Sequence, residues 1–173
     1  MNIQTKRLSI KEAILEDSSF IFELLNSPNW IRHIGDRGIK TMEDAAGYIK
    51  NSLIDSYATL GFGLYKVALR EDDAPIGISG FLKRDYLEHP DIGFATLPKY
   101  EGQGYSFEAA SALMDYGSNE LGLKVVYAIT SEGNLGSRKL LSKLGLQEKG
   151  TISPSETEKE LLLYSNEIEG QSD

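Results

Sequence analysis

The stretch that most limits what this chain can fold into is Leu97-Pro98-Lys99-Tyr100-Glu101-Gly102-Gln103-Gly104-Tyr105-Ser106-Phe107-Glu108-Ala109. Before it, Ile92-Gly93-Phe94-Ala95 reads as a short apolar strand. After it, Phe107, Ala110, Met114, Gly117 and Leu121 recur at helical spacing. A strand, a glycine-punctuated turn and a helix start together aim free backbone N–H groups, and the positive end of a helix, at an anion. Glycine suits such a turn because a side chain would block close approach and because the backbone there can need φ > 0. Taken alone, Gly102 and Gly104 suit any tight connection equally well. The rest of the chain has to decide.

Composition narrows the field. With 173 residues, 40% of them hydrophobic, the chain fits one domain over residues 1–173 with a sizeable core. There is no cysteine, which excludes a disulfide framework, a thiolate nucleophile and cysteine-ligated zinc or iron–sulfur sites. A net charge of -8 argues against a general nucleic-acid surface. If that charge does more than keep the protein soluble, it favours a cationic partner such as an amine or a basic peptide. The amino terminus opens directly into a strand pattern, with no signal-peptide core. No apolar run approaches the ~18–20 residues of a bilayer span, so a cytoplasmic protein without a membrane partner is expected.

In chain order, Leu8 to Ile14 approximates the alternation of a half-buried strand. Asp17-Ser18-Ser19 supplies cap chemistry for a helix carrying Phe20, Ile21, Leu24 and Leu25, which Pro28 should end or redirect. Trp30 to Gly38 then reads as a polar connection. Thr41-Met42-Glu43-Asp44 resembles a capping start, with Ala45, Tyr48, Ile49, Leu53 and Ile54 as the apolar stripe behind it. Strands are expected at 62–69, 76–82 and 91–97, with a turn at 71–75 between the first two. The helix after the opening motif should run to about Leu121 and stop at Gly122. Val125 to Ile129 suits a strand covered on both faces, and a helix is expected from Asn134 to Leu144, ended by Gly145. Leu146 onward and Leu161 to Tyr164 read as a closing pair of strands, while Gln171, Ser172 and Asp173 should fray. This order points to an α+β sheet with helices on its faces.

Other phosphate-binding and nucleophilic folds lack support. No Gly-x-x-x-x-Gly-Lys-Ser/Thr occurs, Phe107 stands where a dinucleotide fold wants a third glycine, and Gly77-Ile78-Ser79-Gly80 has the wrong spacing for a hydrolase elbow.

The order of elements, joined to the opening motif, resembles the GNAT superfamily of acyl-CoA-dependent N-acyltransferases over nearly the whole chain. The family's Gln/Arg-x-x-Gly-x-Gly/Ala loop reads here as Lys99-Tyr100-Glu101-Gly102-Gln103-Gly104, with Lys99 a departure at the first position. Pro98-x-Tyr100-x-Gly102-x-Gly104-Tyr105, followed by Glu108-Ala109, is similar to the branch containing the ribosomal-protein N-terminal acetyltransferases RimJ and RimL. So is Asn134-x-x-Ser137-x-x-Leu140-Leu141-x-Lys143-Leu144-Gly145. The resemblance implies a mixed, mostly antiparallel sheet with helices on both faces. It also implies a splayed parallel strand pair, residues 91–97 and 124–129, that holds the pantetheine arm of coenzyme A. The implied activity is acetyl-CoA-dependent transfer to a primary amine, a protein N-terminus or a small molecule, by direct attack in a ternary complex. The alternative is a non-catalytic acyl-CoA-binding sensor or scaffold. No metal is implied, and the protein would be a monomer or homodimer.

By the same resemblance, coenzyme contacts fall on Phe94, Ala95, Thr96, Lys99, Gly102, Gln103, Gly104, Tyr105, Ser106, Asn134, Ser137 and Arg138. Asn134 equally suits a plain helix cap, and Arg138 and Lys139 equally suit solvent. Leu141 stands where many relatives carry a proton-donating tyrosine. Ser137, one helical turn earlier, matches the serine of the RimL-like branch that acts as acid, or it bonds back to its own helix. Asp91 heads the donor strand where relatives carry an acidic residue and is the candidate base, with Glu88 and His89 as neighbours able to serve instead. Its alternative is a strand-edge carboxylate. A main-chain N–H near residues 94–96, where the family commonly bulges its strand, would meet the oxyanion. Trp30, Arg32, His33, Asp36 and Arg37 lie in the connection that covers the acceptor in this family. Arg37 would meet a substrate carboxylate or pair with Asp36.

Overall fold

Eight strands form one sheet in the order β1-β2-β3-β4-β5-β6-β8-β7. They are β1 (Asn2–Gln4), β2 (Leu8–Lys11), β3 (Leu64–Leu69), β4 (Pro75–Leu82), β5 (Asp91–Thr96), β6 (Tyr127–Thr130), β7 (Gln147–Ile152) and β8 (Leu161–Ser165). Every neighbouring pair is antiparallel except β5 and β6, which are parallel. The computed structural model describes residues 1–168, so the fraying expected of Gln171, Ser172 and Asp173 lies outside the described residues. The helices are α1 (Ser18–Leu25), α2 (Pro28–His33), α3 (Met42–Tyr48), α4 (Asp55–Leu60), α5 (Tyr105–Asn119) and α6 (Leu135–Lys143). A π-helical segment, Ile49–Ile54, joins α3 to α4 without a break.

Strand β5 shows why helices cover both faces. Its side chains alternate. Ile92 and Phe94 pack with Ala109, Ala110 and Leu113 of α5, whereas Ala95 and Leu97 pack with Trp30, Ala45, Ile49 and Leu53 on the other face. Each fully buried Leu or Ile in these two clusters contributes about 1.5–3 kcal/mol. Helix α5 lies close on β4 because Gly117 has no side chain: a Cβ there would meet the Phe81 ring at 2.6 Å. The mixed, mostly antiparallel architecture expected from the sequence is the one observed.

Local chemistry explains most boundaries. Thr41 Oγ1 accepts from Asp44 N at 3.0 Å while Asp44 Oδ2 accepts from Thr41 N at 2.9 Å, a complete capping box for α3. The apolar stripe behind it buries Ala45, Ile49 and Leu53 but leaves Ile54 partly exposed, because the π-helical turn shifts the register. Other expectations need correcting. Pro28 opens α2 at its first turn, where a missing N–H costs nothing, so residues 30–33 are helical rather than a connection. Asp17 does not cap α1; its carboxylate takes the Ile14 N–H at 2.9 Å and Lys66 Nζ at 2.7 Å instead. The strand expected from Val125 begins at Tyr127. No bulge interrupts β5 against β4, whose pairing runs unbroken from Gly77↔Thr96 to Leu82↔Asp91.

Candidate active site

The parallel pair is barely a pair. β5 and β6 share one residue match, Asp91↔Tyr127, fixed by the Tyr127 N–H donating to Pro90 O at 2.9 Å. Hydrogen-bonding direction alternates along a strand, so with Pro90 facing β6, Phe94 and Thr96 face it too. The opposite parity agrees, since Leu97 N donates to Ile76 O beside β4 at 2.8 Å. Beyond Asp91 the main-chain groups of Phe94 and Thr96 therefore open toward a β6 that has diverged. A peptide-like amide arm fits between such edges as an added strand would.

The gap leads to the glycine turn. Gly102 and Gly104 both adopt left-handed backbone, with φ of +72° and +81°. Gly104 is the N-cap of α5 and no side chain caps that terminus. The first-turn N–H groups of α5, which have no intrahelical acceptor, are left facing outward at the positive end of a 15-residue helix. Such an arrangement is chemically able to hold phosphate oxygens. Thr96 Oγ1 and Ser106 Oγ, 2.7 Å apart, tie the end of β5 to this first turn. Lys99 points elsewhere, over the Tyr100 ring at 5.2 Å, while its carbonyl accepts from Gln103 Nε2 at 3.2 Å.

Helix α6 flanks the gap from the α5 face. Asn134 Oδ1 accepts from Ser137 N at 3.2 Å, so Asn134 is a helix cap in fact. The Ser137 side chain shares a helix face with Leu141, four residues on, and Leu141 is 1% exposed in the core under the sheet. The Ser137 hydroxyl makes no hydrogen bond to another described residue, so the back-bonding alternative is not realised. Leu141 itself, buried and apolar, has no proton to give. Arg138 is spent on the protein: Nε on the Tyr164 hydroxyl at 3.4 Å, Nη1 on Glu132 O at 3.1 Å, Nη2 3.7 Å from Glu148. Lys139 remains exposed.

The opposite face carries Asp91, which shares its parity with Ala95 and Leu97. Asp91 is 1% exposed, and both its oxygens take the Arg84 Nε–H, at 3.0 and 3.1 Å. Burial pushes the Asp91 carboxyl above its ordinary range against the pull of Arg84. For Arg84 burial opposes the charge, yet Asp91 and Tyr86 outweigh it and the guanidinium is held more firmly protonated. His89 lies edge-on to the Tyr127 ring at 5.0 Å, and Glu88 Oε1 is 4.0 Å from its Nε2.

Of the acceptor candidates, Trp30 is 5% exposed inside the second core cluster, so its ring supports this wall rather than offering a free face. Asp36 takes Gly38 N at 2.8 Å and Lys40 Nζ at 3.4 Å, not Arg37. Burial raises the Tyr48 phenol, and the charges of Arg37 and Arg84 both pull it back. Arg32 is exposed and His33 half-buried at the end of α2. Sequence reasoning passed over Tyr48 and gave no role to Arg84 or Arg7; only the fold makes them neighbours of the site.

Beside the sparsely paired strands β5 and β6, Ser137 lies on the α5–α6 face of the sheet and Asp91 on the α1–α3 face, at the one residue match. Residues 7–147 match the family model for the acetyltransferase (GNAT) domain. The chain is 32% identical over 151 residues to the uncharacterized N-acetyltransferase YnaD of Bacillus subtilis (strain 168), covering 87% of this chain and 85% of that one. An acetyltransferase structure from Agrobacterium tumefaciens str. C58 superposes with TM-score 0.81 at 23% identity, over 97% of this chain and 95% of the other. RimL, a ribosomal L7/L12 alpha-N-protein acetyltransferase in complex with coenzyme A, superposes with TM-score 0.82 at 14% identity, over 95% and 97%. Matched over most of its length, the chain belongs to the GNAT family of acetyltransferases.

Proposed function

We propose that this enzyme transfers an acetyl group from acetyl-CoA to a primary amine, a protein N-terminus or a small molecule. It does so by direct attack with both substrates bound, as one cytoplasmic domain over residues 1–173 of the RimJ/RimL-like branch. The observation that carries the reading is the strand pair β5–β6, joined at one residue match and opening onto an uncapped helix start. Those features fit coenzyme A: a diphosphate needs N–H donors, and an amide-rich arm needs free strand edges. The residues that would hold it are Phe94 and Thr96 along the arm, with Ala95 between them turned to β4, and Gly102, Gln103, Gly104, Tyr105 and Ser106 at the phosphates. When bound it supplies an acetyl group activated as a thioester.

The chain's own groups then have divided tasks. The gap-facing N–H of Phe94 meets negative charge as it develops on a carbonyl oxygen. Ser137 Oγ gives a proton to the sulfur that leaves. Asp91, on the other face, receives the proton that an amine sheds, and desolvation suits it to that task by raising its affinity for protons. An α-amino group, with a pKa of ~7.7–8.0, asks less of such a base than a lysine-like amine at ~10.4. Arg32, His33, Asp36 and Arg37 flank the amine's approach, with Trp30 packed behind them.

A thiol-release assay with acetyl-CoA against amines and N-terminal peptides tests this. Release with at least one acceptor is expected, rising with pH on an acid limb that Asp91→Asn removes. Coenzyme binding without release on any acceptor points to the sensor or scaffold reading. Absence of coenzyme binding sinks both.

A further inference from the structure

Arg7 lies 96 residues before Gln103 of the glycine turn, at the head of β2, yet its side chain bonds to that turn and to the helix behind it. Its Nη1–H donates to Gln103 O at 2.9 Å, its Nε–H to Glu108 Oε2 at 2.6 Å, and its main-chain N–H to Glu108 Oε1 at 2.8 Å. The guanidinium lies 4.3 Å from the centre of the Tyr105 ring. Thr5 Oγ1 adds a bond to Glu108 Oε1 at 2.6 Å. The turn carrying Thr5 and Arg7 is itself anchored: Arg70 Nη1 donates to Thr5 O at 2.8 Å and Arg70 N to Arg7 O at 2.9 Å.

The bond to Gln103 O bears on ligand binding. A trans peptide unit points its C=O and its N–H in opposite directions. Fixing the Gln103 carbonyl on Arg7 therefore aims the Gly104 N–H the other way, away from Arg7 and toward the mouth of the turn. The Gln103–Gly104 peptide turns about Gln103 ψ and Gly104 φ, and with a glycine in left-handed backbone on its far side little steric barrier opposes that rotation. Rotated, that unit would present a carbonyl oxygen to an anion. Glu108 supports the arrangement because a carboxylate in the first turn of α5 would otherwise repel an anion there. Against the cost of burial, its bonds from Thr5 and Arg7 hold it ionised and turned toward β2.

Resting on the reading of this turn as the coenzyme's phosphate site, we propose that Arg7 is a positioning residue. It holds the Gln103–Gly104 peptide in the donor-outward orientation and so pre-forms the phosphate cradle. Lysine cannot replace it in full, since one ammonium does not span Gln103 O and Glu108 with the fixed fork of a guanidinium.

Coenzyme A titrated calorimetrically into wild type, Arg7→Met, Arg7→Lys and the double variant Arg7→Met/Glu108→Gln, each well below its melting temperature, separates the cases. The dissociation constant is expected to rise about tenfold in Arg7→Met, the loss of one oriented hydrogen bond to an anion. Arg7→Lys should recover part of that, and the double variant should stay as weak as Arg7→Met. Equal affinity in wild type and Arg7→Met overturns the proposal. Recovery in the double variant also overturns it, because Arg7 would then merely cancel the Glu108 charge. Should wild type itself bind no coenzyme A, the reading of the site fails rather than the role of Arg7 within it.

Discussion

The two parallel strands are each followed by a turn and a helix, and the two helix starts are opposites. The start of α5 is capped by no side chain, sits behind two left-handed glycines and is braced from outside by Arg7. The start of α6 is closed by its own Asn134, and Leu135 N is spent on Gly133 O at 3.0 Å. One terminus has no side-chain cap; the other spends two of its donors on Asn134 and Gly133. What α6 offers the gap is not its dipole but one hydroxyl, Ser137. On the proposed function the same strand–turn–helix unit yields a binding end and a chemical end, and the cap residue is what differs between them.

The largest expected effect follows from closing the open terminus. Gly104→Val places a β-branched side chain at φ +81° and across the N–H groups. Coenzyme A affinity should fall about a thousandfold, as two or more charge-assisted bonds are lost at about 1.5–3 kcal/mol each. Gly122→Val is the control, being equally left-handed at φ +67° with open space around it and remote from the gap. It should cost stability without costing affinity. If both variants bind coenzyme equally well, the contrast between the two termini has no functional content.

Removing the hydroxyl of the closed terminus comes next. Ser137→Ala should lower turnover about a hundredfold, the low end for a positioned proton donor, with the coenzyme dissociation constant unchanged. Unchanged turnover removes Ser137 from the chemistry and leaves α6 with a packing role through Leu141 alone. A loss in affinity with turnover intact would instead make Ser137 a coenzyme contact.

How much of this was legible in the sequence depends on range. The turn at 98–104, the capping box at Thr41 and the Asn134 cap were readable because their causes lie within four residues. The depth of the gap was not, since it depends on where β6 leaves β5, which β8 decides by pairing with β6 from the far side. Pro28 does mark where α1 gives way, but a proline after a helix and a proline opening the next look alike, so the helix over residues 28–33 was legible only once Ser27 turned extended. Asp17 offered a cap by type, but Lys66, on a distant strand, draws its carboxylate away. Trp30 read as part of a polar connection over the acceptor, and its burial came only from packing with Leu97 and Ile49. Arg7 and Glu108, about a hundred residues apart, carried no local signal at all.

The smallest expected effect concerns what Asn134 is for. In the structure its side chain spends Oδ1 on the Ser137 N–H, so Asn134→Ala leaves one first-turn donor of α6 unmet. The cost should be about 1 kcal/mol of folding stability, and Asn134→Asp or Asn134→Ser should restore most of it. That donor lies directly beneath the proposed acid, so the same variants tell position from fold. If Asn134 only caps, Asn134→Ser keeps both stability and turnover. If its Nδ2, left over by the cap, also serves the pantetheine arm, Asn134→Asp keeps stability while weakening coenzyme binding. It does so by exchanging a donor for a charged acceptor at the edge of the gap. Denaturant melts and coenzyme titrations on the three variants decide between these outcomes. A purely capping result would make the two termini complete opposites, one spent on the coenzyme and the other on itself.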